Sequence, residues 1–314
     1  MALRVGIIGP GSIGHIHARH YNELGANVVA VLCSSKQKGS DIANSFALEL
    51  NIQVSPFDSI DDFFMEELDA VSICSPPSIH LEHIKVCLEK KIPVFCEKPF
   101  FWSAAMTSEN IDREIKLIQC YQNRCLFVNT CNAIFLETII QTEGRVAECS
   151  HFSFEFYTTG SYEGIEIAQD LLPHGLSFLI DLLGECKISN FTSVISTHEF
   201  SCEFLYGKCL VNFDFRENPS GPKHMRIKLN EHVYTRVQAG NGSSYQVSLV
   251  NNITQKVLPT EDPFKKNISR FLDYVINHRS TGNDGFDLAA LNLILMAKCL
   301  QLAEKSTELR LKNK

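Results

Sequence analysis

Three glycines in the run Gly9-Pro10-Gly11-Ser12-Ile13-Gly14 are the first residues whose type and spacing suggest chemistry. They match G-x-G-x-x-G directly after a short apolar strand, RVGIIG, and at the opening of a helical pattern, the setting in which this motif holds a dinucleotide. The first glycine permits a sharp turn and the second lets the backbone approach a pyrophosphate. The third lets helix pack on strand, and the helix N-terminus at Ser12 and Ile13 faces the anion. About 20 residues further on, an NAD-type domain places an acid on the ribose hydroxyls. Here Cys33, Ser34, Ser35 and Lys36 stand instead, with no acid between Asn27 and Ser40. Small hydroxyls and a cation suit a 2′-phosphate, so NADP is expected before NAD, the other reading being a plain polar loop.

A second chemical candidate is Lys98, in VFCEKP at 94–99. It falls just past a buried strand, at the carboxyl edge where open α/β sheets bind ligands. Desolvation at such an edge draws a lysine toward neutrality at working pH, which suits proton transfer. A Lys-Pro pair alone reads as a surface turn; the glycine motif is what gives this one a function.

Both candidates need an α/β frame, and the hydrophobic pattern supplies one. Continuous apolar strands at 4–9, 28–32, 70–74, 93–96 and 126–129, with a short one near 53–54, alternate with helical patterns to about 24, 38–50, 60–67, 80–90 and 108–121. That rhythm predicts a parallel sheet covered on both faces. After residue 130 it changes to long alternating segments such as CEFLYGKCLVNFDFRE and HMRIKLNEHVYTRVQ, which predict antiparallel strands with one wet face. Helices are expected at 263–278 and 287–305. The expected organisation is α/β: an N-terminal Rossmann dinucleotide-binding domain, 1–130, then an α+β domain, 131–314, built on a large, mostly antiparallel sheet for substrate binding and oligomerisation.

Composition narrows the function classes. The chain has 314 residues, a net charge of -7, 45% hydrophobic content and no long basic block, which argues against nucleic acid. Nothing reads as a membrane span or a signal peptide, since no apolar run reaches roughly 18 residues. Twelve cysteines are scattered without a CxxC, so reduced thiols, a cytoplasmic location and no metal are expected. His15, His17 and His20 tempt a metal reading, but His15 and His17 fall on different helix faces.

The motifs GPGSIGHIH at 9–17, DAVSICSPPSIHLEHI at 69–84, VFCEKP at 94–99 and DLLPHGLSFLIDLLG at 170–184 together resemble the glucose-fructose oxidoreductase, inositol dehydrogenase and MocA (Gfo/Idh/MocA) oxidoreductases. The resemblance covers nearly the whole chain, and Glu-Lys-Pro is its most specific part. It implies that Lys98 lies beside the nicotinamide as an acid/base or electrostatic residue. It also implies that Ser75, Pro76, Pro77, His80 and Glu97 border the cofactor, that His17 belongs to the same neighbourhood, and that a cis peptide precedes Pro99.

In the second half the family pattern is roughly Asp-x-Gly-x-His-x-x-Asp. Asp170 and His174 match it, while Leu172 and Ser177 depart. Spaced by four, Asp170 and His174 share a helix face if the helix starts near Asp170. The dipole would then favour neutral His174, competent to take a proton. The plain alternative is an Asp170 N-cap and a packed His174. Lys98, His174 and Asp170 are the catalytic candidates, and Asn129, Tyr157 and Tyr162 join Lys98 and His174 as candidate substrate contacts, with loop packing the alternative for the first three. The expected activity is NADP-dependent hydride transfer on a sugar-like or other hydroxyl or carbonyl substrate by a homodimer or homotetramer. The rivals are a catalytically silent cofactor-binding regulator and a lyase or glycosidase that uses the cofactor transiently.

Overall fold

The computed structural model describes residues 2–121, 125–144, 148–277 and 285–312. They divide into two compact units, 1–129 with 264–290, and 130–263 with 291–314.

The first unit holds a six-stranded sheet of order β3-β2-β1-β4-β5-β6, with every pairing parallel. Its strands are β1 (Arg4–Ile8), β2 (Asn27–Leu32), β3 (Ser55–Phe57), β4 (Ala70–Ile73), β5 (Val94–Glu97) and β6 (Leu126–Asn129). Between them run α1 (Ser12–Glu23), α2 (Lys36–Ser45), the single turn α3 (Ile60–Phe63), α4 (Pro77–Glu89) and α5 (Ser108–Gln119). The expected helix over 38–50 breaks at Ser45 into a π-helical turn, Phe46–Leu50, which exits through Asn51 at φ 56°. α4 starts three residues before its expected place because Pro77 occupies the first helical position, where its missing N–H costs nothing.

Strand order reverses between β1 and β4, so the crevice beyond their carboxyl ends is where an open α/β sheet takes its ligand. One helix of this unit comes from far along the chain. α8 (Pro263–Asn277) places Ile268, Phe271, Leu272 and Val275 in the core with Val5, Ile7 and Phe95, and Phe271 packs 5.4 Å from Phe95 and 5.7 Å from Phe127. An uninterrupted second domain over 131–314 gives way here, because an amphipathic helix settles wherever its apolar stripe is buried. The expected end of α8 at His278 lies outside the described residues.

In the second unit α6 (Ala133–Glu143) and β7 (His151–Thr158) precede α7 (Ile165–Leu183). The strands β8 (Ile188–Ile195), β9 (Glu199–Tyr206), β10 (Cys209–Glu217), β11 (His224–Leu229), β12 (His232–Ala239), β13 (Gln246–Asn251) and β14 (Val257–Thr260) follow. The eight-stranded sheet has the order β14-β13-β12-β11-β7-β10-β9-β8. Only β7 with β10 is parallel, so the mixed, mostly antiparallel architecture stands.

Alternation sends Phe152, Phe154 and Phe156 of β7 to the inner face, where Phe178 of α7 lies 5.9 and 5.0 Å from the first two rings. A Cβ on Gly175 would lie 2.7 Å from the Phe213 ring, so glycine there sets the close seating of α7 on the sheet. The last helix, α9 (Phe286–Lys312), contains a stretch, Phe286–Ser306, long and apolar enough by composition to cross a membrane. This corrects the expectation that no such stretch exists. With 61% of its apolar window buried, it is packed as a core helix.

Candidate functional site

The glycine turn occupies the carboxyl end of β1. Gly9 has φ 72°, and a Cβ there would meet the backbone N and Cα of Ser75 at 2.6 and 2.5 Å. Any other residue would push the β1 and β4 loops apart. A Cβ on Gly14 would come within 3.3 Å of the Gly9 carbonyl and the Ile7 side chain, the close helix-to-strand approach expected of the third glycine. Gly11, the N-cap of α1, faces open space, with nothing within 4 Å of where its Cβ would stand. No acid occupies the first turn of α1, so open room, free helix-end amides around Ser12 and Ile13, and positive potential coincide. This cradle fits a pyrophosphate.

Beyond β2, Cys33 donates its N–H to the Phe57 carbonyl at 2.8 Å, and burial raises its thiol pKa. Ser35 caps α2 by accepting from the Lys38 N–H, and the Lys38 ammonium donates to Ser34 Oγ at 3.2 Å. Lys38 was not singled out by sequence, although its place two residues after Lys36 on the same helix start was the available signal. Lys36 also lines a cavity of about 470 Å³ together with Asp58 and Asp62.

β5 ends at Glu97, and the Lys98–Pro99 peptide is cis, as the family resemblance implies. Lys98 is half-buried. His80 is buried between two turns, its Nε2 donating to the Ser75 carbonyl at 2.6 Å and its Nδ1 lying 3.0 Å from the Pro99 carbonyl. Burial lowers its pKa. Gly9 backs onto Ser75, and His80 fastens Ser75 to Pro99, so the glycine turn and the lysine turn form one braced edge that includes Pro76 and Pro77.

Behind that edge lies a buried polar network. His17 donates from Nε2 to Glu97 Oε1 at 2.8 Å and from Nδ1 to Ser72 Oγ at 2.8 Å, with Cys74 Sγ 3.3 Å from Nδ1. Asn129 donates to Glu97 Oε1 at 2.7 Å and accepts from Asn267 of α8 at 3.0 Å. Glu97 and Asn129 were expected against cofactor and substrate; the structure uses both as internal braces, Asn129 being 1% exposed. Ser72, Cys74 and Asn267 were missed, because pairings across 55 to 138 residues leave no local spacing to read.

Burial works against a charge on His17, but the Cys74 sulfur and the Glu97 carboxylate outweigh it and hold its pKa at about 10, against an ordinary 6.5. Burial likewise opposes the Glu97 charge, and His17, Asn129 and Lys98 override it, keeping the carboxyl below 4.5. A histidine raised on folding contributes stability that is complete below pH 6.5 and is lost as the pH climbs through about 10. The thermal-midpoint advantage of the wild type over His17→Gln is therefore expected to shrink between pH 6.5 and 10 in scanning calorimetry. A difference independent of pH would contradict the ion pair.

In the second unit, α7 starts at Ile165 behind Gly164, whose φ is 58°. Asp170 is thus no N-cap, and His174 lies well beyond the first turn, out of reach of the terminal dipole invoked for its neutrality. The helix runs through Pro173, whose carbonyl accepts from Asn292 at 2.9 Å. His174 is buried with its ring edge-on to Phe156 at 5.3 Å. Ser177 donates its hydroxyl to the His174 carbonyl at 2.8 Å, and Leu172 is fully buried, so neither departure from the family pattern offers a replacement carboxylate.

Tyr157 is carried to the opposite sheet face from His174, because it neighbours Phe156 on β7. There its hydroxyl donates to Asp214 at 2.6 Å and Arg216 lies over its ring. Tyr162 is 47% exposed, and its backbone N–H donates to buried Glu217 at 3.0 Å. The structure therefore brings Asp170 and His174 onto one helix but leaves Tyr157 away from them. Among the described residues no group of three or more His, Cys, Asp or Glu could hold a metal ion; His15 instead packs its ring on Phe46 at 5.2 Å.

Comparison with known proteins agrees with the fold. Residues 3–125 match the oxidoreductase family profile with an NAD-binding Rossmann fold. Among curated proteins, an inositol 2-dehydrogenase of Saccharopolyspora erythraea is 36% identical over 107 residues, 33% of this chain and 31% of that protein. One of Rubrobacter xylanophilus is 30% identical over 117 residues, 37% of this chain and 32% of its own length. The match thus spans about a third of those relatives. In overall fold the chain is similar to a UDP-N-acetylglucosamine 3-dehydrogenase of Acidithiobacillus ferrooxidans, with TM-score 0.74, 20% identity and coverage of 98% of this chain and 99% of that one.

Proposed function

We propose that the chain, whose residues 3–125 match the Gfo/Idh/MocA oxidoreductase family, is an NADP-dependent oxidoreductase acting on a CH–OH or carbonyl carbon of a sugar-like substrate. A bound nicotinamide supplies or takes the hydride. The chain's own residues bind, orient and move the proton. The helix end at Ser12 and Ile13 receives the pyrophosphate, and Lys98, with His174 and Asp170 as the further candidates, handles the proton at the substrate oxygen.

The observation that carries this reading is the braced edge from Gly9 through Ser75 and His80 to Pro99, which fixes Lys98 on the same sheet edge as the dinucleotide cradle. It is tested by following reduced-nicotinamide absorbance with sugars, nucleotide sugars and simple carbonyls. A steady change with at least one polyhydroxylated compound is expected. Silence despite tight NADPH binding would favour the regulator reading, which Leu172 and Ser177 support.

The NADP preference rests on Ser34, Lys36 and Lys38. The double substitution Lys36→Ala/Lys38→Ala is expected to weaken NADPH binding about 10- to 100-fold, the scale of charge-assisted bonds to a phosphate, while NADH affinity changes little. Fluorescence titration of both nucleotides decides it, and tighter wild-type binding of NADH would reverse the assignment. Twelve unbridged cysteines fit a reducing cytoplasm. A homodimer or homotetramer is expected in sedimentation.

A further inference from the structure

We propose that the substrate carries an oxyanion, a carboxylate or a phosphoryl group, and that Arg236 receives it. The proposal rests on the oxidoreductase reading for what the anion is attached to. Arg236 lies on β12 opposite fully buried Leu249 and two residues from buried Tyr234, which places it on the inner face of the sheet. Its guanidinium stands 5.6 Å over the Phe156 ring, the same ring whose neighbour is His174.

The arginines of the outer face are matched with acids: Arg226 with Glu155, and Arg216 with Asp214 and Glu199. Arg236 has no carboxylate within ion-pair reach among the described residues. The ionisable side chains that face it are Tyr245 and Cys131, and burial lowers its pKa below the ordinary arginine value. A ring face compensates only part of the cost of drawing a cation out of water.

A second donor is linked to this one through Cys131, whose sulfur lies 3.9 Å from Asn132 Oδ1. Asn132 follows Cys131 in the chain, is 3% exposed, and has an amide nitrogen without an acceptor. A planar fork with an additional buried N–H suits an oxyanion, which a guanidinium can grip through two parallel bonds. An uncharged polyol would leave the arginine without its counter-charge. Arg236 therefore acts as a specificity-determining residue for the proposed reaction.

The test uses the full chain saturated with NADPH and calorimetric titration of four probes: a neutral hexose, a hexose 6-phosphate, a hexuronate and a uridine diphosphohexose. At least one anionic probe is expected to bind more tightly than the neutral hexose, and comparison of uronate with phosphate tells which oxyanion is read. In Arg236→Met the Kd for that probe is expected to rise about 10- to 100-fold, with NADPH titration as the control for folding. If Arg236→Met fails that control, Arg236→Lys, which keeps the charge and loses the fork, replaces it with a smaller but measurable rise.

Equal wild-type binding of charged and neutral probes, or an unchanged Kd in the scored variant, overturns the proposal. Anion binding lost in the variant while no probe ever consumes NADPH, or forms it when NADP+ is supplied in a parallel assay, would uphold the oxyanion site and remove the oxidoreductase reading. Turnover of the neutral hexose alone would do the reverse.

Discussion

Lys98→Ala is expected to lower kcat by about 10²- to 10⁴-fold, the usual contribution of a positioned acid or base. NADPH binding should change far less, since the cradle at Gly9, Gly11 and Gly14 does not involve this side chain. The measurement is steady-state turnover on whichever compound changes reduced-nicotinamide absorbance, paired with an NADPH titration of the same preparation. An intact kcat would take Lys98 out of the mechanism. The backbone around it should survive the change, because the adjoining turn is held through Pro99 and His80. A variant that lost NADPH binding and turnover together would point to a collapsed edge.

The second large effect is on stability. Glu97→Ala removes the acceptor of both His17 and Asn129 and leaves a buried imidazole facing an empty space. Removing one partner of a buried ion pair costs about 3–5 kcal/mol. On a unit of this size that lowers the thermal midpoint by on the order of 10 °C. His17→Gln/Glu97→Ala should cost less than the sum of the two single changes, because the second substitution has no pair left to break. Additive costs in calorimetry would mean that the two side chains are not coupled.

Much of the first unit was legible because its signals are local. A glycine motif between strand and helix, and apolar strands at regular intervals, require only neighbours in sequence to be read, and β6 coincides with its expected bounds. The lysine edge was legible for the same reason, as Glu97-Lys98-Pro99 follows a strand directly. Boundaries moved where a cap decides them. α4 begins at Pro77, and α2 gives way to a π-helical turn, neither of which the apolar pattern marks.

The second unit was less legible. α6 was missed because AIFLETII is apolar on all sides, and such a run reads as a buried strand or a buried helix alike. Tyr157 was placed near the substrate by its position in the chain, but strand alternation turns it from His174 to Asp214. The signal that could have found Arg236 was its spacing of two from Tyr234 in HVYTRVQ, which puts a cation on an apolar face.

The sequence by itself determined the dinucleotide cradle, the lysine edge and the change from parallel to antiparallel sheet, since each is written in residues close together along the chain. Tertiary structure decided the contacts made inside each unit. It brought Asn267 of α8 to Asn129 and so to Glu97, started α7 early enough to put His174 mid-helix, and turned Arg236 inward toward Phe156. Those outcomes depend on which apolar faces find each other and on strand register, free energies summed over whole units, and no short motif encodes them.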